Sequence, residues 1–288
     1  MPGEKTSSSP GAAKRHCDRY TANMSSLRET FDRDGFVGPV DILSAEEVVQ
    51  VRAAVQDVMQ NLDRHRDRLY EVEQAFTDRP GEVVCHFLGG FRVHDTLREL
   101  IGNQRITSIC ADLLGVDRLR FWHDQVFAKP PHHPGVVPWH QDYSYWTRTV
   151  PACHITCNLM LDDSTEESGC LQFVPGSHRW PLLPPLPFDS PLEAIREQLP
   201  EGADFAPVPV PVRAGQATFH HSHTLHGSDQ NKSERWRRAA VCNYMSADVK
   251  VADGSQPLLK GAPVLPTGAV VEGDDFPIVF ERSTGGSV

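Results

Sequence analysis

Two kinds of metal ligand stand one residue apart in the stretch Trp139-His140-Gln141-Asp142. In an extended strand, residues two apart point to the same face, so the imidazole of His140 and the carboxylate of Asp142 could reach one ion. Pro138 disfavours a helix at this point, because a proline keeps the preceding residue extended. The H-x-D pattern alone is common by chance, so a metal site here needs a third ligand from a distant strand.

A histidine-rich stretch between Phe219 and Ser228 could supply that ligand. Only His226 is followed by a serine at +2 and by an arginine, Arg237, at +11. A guanidinium is always charged and is the natural bidentate partner for a carboxylate held in a buried pocket. We therefore favour His226 as the third ligand. The stretch contains three other histidines, which we expect to be packed or solvated strand residues: His220, His221 and His223.

The donor set indicates which metal the site would hold. Two neutral imidazoles and one carboxylate on one side of an ion leave the opposite positions open, as in non-haem Fe(II) sites. A soft-ligand zinc site would use thiolates, and no cysteine stands near the His140 and Asp142 pair. A closed structural zinc site would also need a fourth protein ligand. The sequence therefore predicts an iron site.

Several motifs together resemble the phytanoyl-CoA dioxygenase family of Fe(II)- and 2-oxoglutarate-dependent oxygenases. They are the H-Q-D triplet, the stretch from Glu167 to His178, the H-G-S-x-x-N-x-S pattern that leads to Arg237, and the N-terminal segments Phe31–Val37 and Leu43–Val48. The resemblance runs from about Leu27 to about Ala247, most of the chain. The combination of motifs is specific, whereas each motif alone is not.

The resemblance implies the iron ligands. His140, Asp142 and His226 match the family's ligand positions. Related halogenases replace the carboxylate with Ala or Gly to make room for halide, and Asp142 argues against that activity.

The resemblance also implies how 2-oxoglutarate is held. Arg237 matches the residue that binds the far carboxylate, and Ser228 places a hydroxyl beside it. Gln125 and Asn158 match positions that line the cosubstrate pocket, where the family varies more.

The reaction implied is the O2-dependent decarboxylation of 2-oxoglutarate to succinate and CO2, coupled to hydroxylation of an unactivated C–H bond. The substrate would be a small molecule, such as a natural product or a lipid-like metabolite. One alternative keeps the site and changes the outcome to desaturation, cyclisation, epimerisation or peroxide formation. Another is a non-catalytic, cupin-like metal-binding or sensing protein, which the complete set of 2-oxoglutarate-binding residues disfavours. The sequence does not identify the substrate.

Three aromatic residues follow the metal pair: Tyr143, Tyr145 and Trp146. We expect at least one of them to line the substrate pocket, since the chain that leaves the iron must wall the cavity. The alternative is that they belong to the core or the rim. Segments 70–93 and 180–211 are either variable walls near the substrate mouth or surface loops.

The elements that must position these residues are mostly short strands. Strands are predicted at Leu119–Lys129, 153–161, 170–174 and Arg237–Met245, and a hairpin at 210–213 and 217–221. On the first of these strands, alternation places Phe121, His123, Gln125 and Phe127 on one face. The fold class predicted is mainly β, a double-stranded β-helix (a cupin-like jelly roll) with N-terminal and flanking α-helices.

Four residues predict where the helices begin and end. A helix should end at Gly35, and the capping box that starts at Ser44 should open the next one. Asp95 and Asn103 are predicted to cap two further helices. His132 and His133, in a Pro/Gly-rich loop, are expected to be exposed.

Bulk composition sets the broad class. The chain has 288 residues, so we predict one domain over 23–288 after a disordered tail at 1–22. A net charge of −10 argues against a nucleic-acid surface. No apolar run approaches the roughly 20 residues of a membrane span, and the N-terminus lacks a secretory signal. Seven cysteines without a C-x-x-C motif favour the reducing cytoplasm. Oligomeric state is left open.

Overall fold

The structure is a computed structural model that describes residues 24–283. The predicted disordered tail at 1–22 lies outside the described residues. None of the described helices is long and apolar enough to cross a membrane.

Two antiparallel sheets form the centre of the molecule. The larger sheet has the order β2-β3-β4-β12-β7-β10-β1. Strand β14 pairs with the first residues of β4, whereas β3 pairs with residues near its end. Its strands are β1 (Phe36–Asp41), β2 (Glu71–Val72), β3 (Cys85–Leu88), β4 (Arg118–Lys129), β7 (His154–Met160), β10 (Gln216–His221), β12 (Arg237–Ser246) and β14 (Ile278–Glu281). The smaller sheet has the order β5-β11-β8-β9, formed by β5 (Val137–His140), β8 (Leu171–Phe173), β9 (Val208–Pro209) and β11 (His226–Ser228). A short pair joins β6 (Thr149–Val150) and β13 (Lys250–Val251).

The two main sheets pack face to face. A buried apolar cluster takes Met160 and Val241 from the larger sheet and Leu171 and Phe173 from the smaller one. Each strand alternates, so the opposite face of the larger sheet is free to contact the helices. The predicted jelly roll is confirmed.

Helices cover the outer face of the larger sheet. They are α1 (residues 24–34), α2 (Ala45–Gln60), α3 (Leu62–His65), α4 (Gln74–Asp78), α5 (Asp95–Leu100) and α6 (Gln104–Leu114). Short 3-10 turns occur at Gly90–Arg92, Asp142–Tyr145, Ser177–Arg179 and Leu192–Gln198. The main apolar core lies between these helices and the sheet and includes Val55 and Ile106 from the helices and Cys157 and Leu159 from β7.

The predicted helix boundaries agree with the structure at three of four positions. Gly35 follows α1 with a φ of 84°, a conformation that glycine adopts without a steric penalty. Ser44 forms a complete capping box, and Asn103 accepts hydrogen bonds from the first turn of α6. Asp95 is not a cap: His94 takes that position, and its Nδ1 accepts a hydrogen bond from the Thr96 N–H.

The predicted hairpin at 210–213 and 217–221 is wrong. Residues 208 and 209 pair with β8 in the smaller sheet, whereas β10 pairs with β1 and β7 in the larger one. The chain changes sheets at the intervening turn, where Gly215 has a φ of 87°. Local turn residues signal a reversal, but they do not say which sheet the next strand joins.

Two further expectations are corrected. The register between β4 and β12 shifts opposite Phe121, so its ring lies under the helices, 6.2 Å from the ring of Tyr244, and not on the face of Gln125. His133 is buried rather than exposed, and its Nδ1 accepts a hydrogen bond from the Gly135 N–H.

Candidate metal and cosubstrate site

The smaller sheet brings two distant histidines together. Strands β5 and β11 are antiparallel, and His140 is paired directly with His226, so the two side chains share a face. Their ring centroids are 4.2 Å apart. Asp142 lies in the 3-10 turn that follows β5, and its Oδ1 is 3.4 Å from Nε2 of His140 and 3.7 Å from Nε2 of His226. One ligand atom from each residue lies within 4.8 Å of the others.

Backbone carbonyls fix the tautomers of both histidines. Nδ1 of His140 donates a hydrogen bond to the Pro138 carbonyl at 2.8 Å. Nδ1 of His226 donates to the Thr224 carbonyl at 2.9 Å. Each Nε2 therefore carries a lone pair directed toward Asp142, as a metal ligand requires.

The outer oxygen of the carboxylate is held by two further groups. Asp142 Oδ2 accepts hydrogen bonds from the Thr156 hydroxyl at 2.6 Å and from Nε2 of His220 at 3.0 Å. Both groups project inward from the larger sheet, from β7 and β10. Oδ1 is left free to face the two imidazoles. His220 is thus a partner of the carboxylate, while His226 completes the donor group.

The protonation states suit a metal ion. Burial alone would raise the pKa of Asp142, but the surrounding imidazoles of His226, His140 and His220 hold it well below its usual range. Burial, together with the neighbouring imidazoles, lowers the pKa of His226 well below its ordinary value. At neutral pH the carboxylate is ionised and His226 is neutral. These are the forms that ligate a cation.

An inner pocket continues from the metal cluster toward Arg237. The Arg237 side chain is 2% exposed, and burial lowers its pKa to about 10, so it remains charged at neutral pH. Its Nη2 has no hydrogen-bond partner among the described residues, and neither does Oδ1 of Asn158 in the same pocket wall. A buried guanidinium with an unused donor is costly unless an anion fills the space beside it. The pocket therefore fits a carboxylate-bearing molecule next to a metal ion.

Two predicted pocket residues have protein partners. Gln125 lines the inner pocket, and its Oε1 accepts a hydrogen bond from Nε2 of His86 at 2.9 Å. The hydroxyl of Ser228 accepts a hydrogen bond at 2.8 Å from the ammonium of Lys129, which is completely buried. Burial, and then the charge of Arg237 across the strand pair, lowers the pKa of Lys129 well below its usual value.

An outer cavity of about 290 Å³ opens on the other side of the metal cluster. Tyr145 and Trp146 line it, and the Tyr145 ring lies 5.8 Å from the ring of His140. Tyr143 does not line it: its hydroxyl bonds to the Thr149 carbonyl, and its ring packs 5.0 Å from His223. Two of the three predicted aromatics therefore reach the cavity.

Segments 70–93 and 180–211, which the sequence allowed as cavity walls or as surface loops, supply much of the outer wall. From 70–93 come Glu71, Glu73, His86 and Leu88, and from 180–211 come Leu186, Pro187 and Phe188. The two segments are joined by an ion pair between Arg79 and Asp189 at 2.8 Å. Both segments are thus walls of the cavity.

Sequence reasoning missed four polar residues around the site: Thr156, His220, Lys129 and His86. For His220 a signal was present, because the alternation of β10 places Thr218 and His220 on the polar, inward face. The position of Lys129 depends on the pairing register with β12, which a single strand does not encode.

Comparison with known proteins identifies the family. The family model for phytanoyl-CoA dioxygenase matches residues 31–239. Ectoine dioxygenase of Bordetella parapertussis is 26% identical over 233 residues, which is 74% of this chain and 72% of that protein. Ectoine dioxygenase of Nocardia farcinica is 28% identical over 218 residues, 70% of this chain and 71% of that protein.

Solved structures of similar proteins share the architecture. The epimerase SnoN, solved in complex with Fe3+, alpha-ketoglutarate and nogalamycin RO, superposes with a TM-score of 0.70 at 26% identity, over 90% of this chain and 99% of SnoN. The carbocyclase SnoK from nogalamycin biosynthesis gives a TM-score of 0.71 at 26% identity, over 88% of this chain and 95% of SnoK. The chain belongs to the phytanoyl-CoA dioxygenase family and is an iron- and 2-oxoglutarate-dependent oxygenase.

Proposed function

We propose that His140, Asp142 and His226 bind the iron and that Arg237 binds the far carboxylate of 2-oxoglutarate. Gln125 and Asn158 line the cosubstrate pocket, and the outer cavity receives a small-molecule substrate whose unactivated C–H bond is hydroxylated. Ser228 does not line this pocket, and its hydroxyl accepts a hydrogen bond from Lys129. Succinate and CO2 are the co-products.

One observation carries the proposal. The buried Arg237 guanidinium, with an unpartnered nitrogen, shares a pocket with the His-Asp-His cluster. A structural metal site would need no buried cation beside it. A dicarboxylate that meets the metal at one end and Arg237 at the other accounts for both features.

The residues of this chain act mainly by placement. The iron and 2-oxoglutarate, when bound, supply the oxidising chemistry of the family. Thr156 and His220 hold the carboxylate of Asp142 so that one oxygen faces the metal position. Tyr145 and Trp146 wall the outer cavity beside His140 and keep bulk water from the reacting C–H bond.

The test combines binding and turnover. Addition of Fe(II) and 2-oxoglutarate without oxygen should produce the visible charge-transfer absorption of a chelated keto acid. With oxygen and ascorbate, succinate should form. His140→Ala and His226→Ala should abolish both signals. His223→Ala is the matched control, since His223 is half-buried and packs on Tyr143, outside the donor group. A full absorption band in His226→Ala would refute the ligand assignment.

A second outcome on the same site has support from the relatives. The similar solved structures include an epimerase and a carbocyclase, so this fold hosts more than hydroxylation. Mass spectrometry of the product separates the outcomes: a gain of one oxygen indicates hydroxylation, loss of two hydrogens indicates desaturation or ring closure, and no mass change indicates epimerisation.

We also propose that the protein works in the reducing cytoplasm. The six cysteines within the described residues are all free thiols, and five of them are buried. This supports a compartment in which disulfides do not form. Fractionation of the native host would check it.

A further inference from the structure

The outer cavity has an acidic entrance. Among the described side chains of its wall, the formally charged ones besides the histidines are Glu71, Glu73 and Asp142. Asp142 lies at the buried end, surrounded by imidazoles, whereas Glu71 is exposed at the outer end. The wall histidines His86 and His123 do not balance this charge, because burial lowers the pKa of each to about 4.

The two glutamates have no basic partner. No lysine or arginine of the described chain forms an ion pair with Glu71 or Glu73. Glu73 uses one oxygen to cap α4 through the Ala75 N–H at 2.9 Å, which fixes the direction of its carboxylate. Burial, and then the charge of Glu73, raises the pKa of Glu71. A cation between the two carboxylates would relieve this repulsion.

A second, independent feature of the wall points to a bound molecule. His86 is 8% exposed, and its ring is stacked between Phe127 at 4.3 Å and Phe188 at 5.2 Å. Its Nε2 donates to Gln125, which leaves Nδ1 as an acceptor, and Nδ1 has no partner among the described residues. A buried acceptor of this kind normally has a donor, and the cavity that His86 lines is where a ligand could bring one.

The apolar part of the cavity is aromatic. Phe127, Phe188, Tyr145 and Trp146 all contribute to the wall. Such faces bind flat apolar groups, and they also attract alkylammonium groups through cation–π interactions.

We infer that the outer cavity takes a substrate with an apolar, ring-like body and a protonated amine, the amine lying between Glu71 and Glu73 and a hydrogen-bond donor of the body meeting Nδ1 of His86. The same charges disfavour polyanionic substrates such as phosphate-bearing acyl thioesters. This substrate class rests on the proposed function, because the cavity is the substrate site only if the iron and 2-oxoglutarate occupy the inner pocket.

The test uses three probes of similar size and different charge, each with a phenol hydroxyl that can donate to Nδ1 of His86: tyramine, 2-(4-hydroxyphenyl)ethanol and 3-(4-hydroxyphenyl)propionate. Their affinities are measured without oxygen, on the protein loaded with Fe(II) and 2-oxoglutarate, from the shift of the charge-transfer absorption. The amine should bind about tenfold more tightly than the carboxylate. Glu71→Gln combined with Glu73→Gln should remove most of that preference and leave the alcohol unaffected. Glu73→Gln retains a side-chain oxygen for the α4 cap.

Controls separate this inference from the proposed function. Glu99→Gln, an exposed change of equal charge on α5, should retain the preference for the amine. His86→Phe keeps the ring stack but removes the acceptor, and it should weaken the amine and the alcohol alike by about fivefold. If the absorption band forms and the amine has no advantage, or the double variant retains it, the substrate class is wrong and the function stands. If the band never forms, the proposed function fails first.

Discussion

At the scale of single residues, the proposed function depends on a buried cation that lacks an ion-pair partner among the described residues. Arg237 and Arg238 are neighbours on β12 and point in opposite directions. Arg238 forms a bidentate ion pair with Asp162, at 2.7 and 2.9 Å. Within residues 24–283, the one hydrogen bond of the Arg237 side chain is a 3.5 Å contact from Nε to the Ser164 hydroxyl. This difference supports the proposal that Arg237 binds the cosubstrate, whereas Arg238 has a structural partner.

The pair provides a matched test of the cosubstrate site. Arg237→Lys replaces a bidentate guanidinium by a single point charge, and we expect the apparent KM for 2-oxoglutarate to rise about tenfold to a hundredfold. Arg238→Lys makes the same chemical change outside the pocket and should leave that KM unchanged. Succinate formation at varied 2-oxoglutarate measures both. Equal effects in the two variants would contradict the assignment of Arg237.

We expect His220 to position the proposed metal ligand Asp142. It donates to Asp142 Oδ2, and loss of such an outer hydrogen bond typically lowers metal affinity by about 10- to 100-fold. His220→Phe should lower the affinity for Co(II), measured by the visible spectrum of the bound ion. His220→Gln, whose amide can still donate, should recover part of the loss. A merely structural role predicts reduced stability with unchanged affinity in the protein that remains folded.

At the scale of elements, the site is a property of strand pairing. His140 and His226 meet because β5 pairs with β11, and Lys129 lies beside Arg237 because β4 pairs with β12. Spacing and residue type were enough to predict which residues meet around the inner pocket, since they are chemically unusual: His140, Asp142, His226 and Arg237. The wall of the outer cavity was not predictable, because His86 and Phe188 reach it from segments without a periodic pattern.

The strands were predicted more accurately than the sheets. The alternation of β4, β7 and β12 gave their bounds to within one residue at each end, because each alternates between a polar interior and an apolar helix-facing side. The prediction of which strands share a sheet failed near Gly215, where the chain crosses from the smaller sheet to the larger one. A register shift opposite Phe121 likewise leaves no mark in the local sequence.

The capping box of α2 gives a prediction that concerns stability alone. Ser44 Oγ accepts from the Glu47 N–H, and Glu47 Oε2 accepts from the Ser44 N–H. Ser44→Ala should lower the free energy of unfolding by about 1 kcal/mol, measured by urea denaturation. Affinity for 2-oxoglutarate should not change, since α2 packs on the outer face of the larger sheet. A large change in that affinity would contradict this separation of scaffold and site.

At the scale of the whole molecule, residues 23–288 remain a prediction of one domain. The main core takes buried residues from the helices and from the larger sheet, which favours a single cooperative unit. Urea unfolding followed by fluorescence and by circular dichroism should then give one coincident transition. Two separated transitions would show that the layers unfold independently.

Buried neutral imidazoles should make the fold sensitive to acid. Burial lowers the pKa of His86, His123 and His221 to about 4 and that of His154 to about 3, from an ordinary value of 6.5. These groups stabilise the folded state above pH 6.5, and that stability is lost as the pH falls toward 4, because the unfolded chain binds the protons first. Burial raises the pKa of Asp124 to about 7, which acts in the opposite direction between about pH 7 and 4.

These groups together set how steeply the free energy of unfolding changes with pH. The four imidazoles outnumber the one carboxyl, so the unfolded chain binds more protons than the folded protein near pH 5. The free energy of unfolding should therefore fall as the pH is lowered, by about 1.4 kcal/mol per pH unit for each net proton. Urea denaturation of the metal-free protein at several pH values measures it. His154→Gln removes one of these titrating groups and should reduce the slope by about 1.4 kcal/mol per pH unit, whatever its effect on stability at neutral pH. An unchanged slope in that variant would mean that His154 is already protonated in the folded protein, or that it titrates alike in the folded and unfolded states.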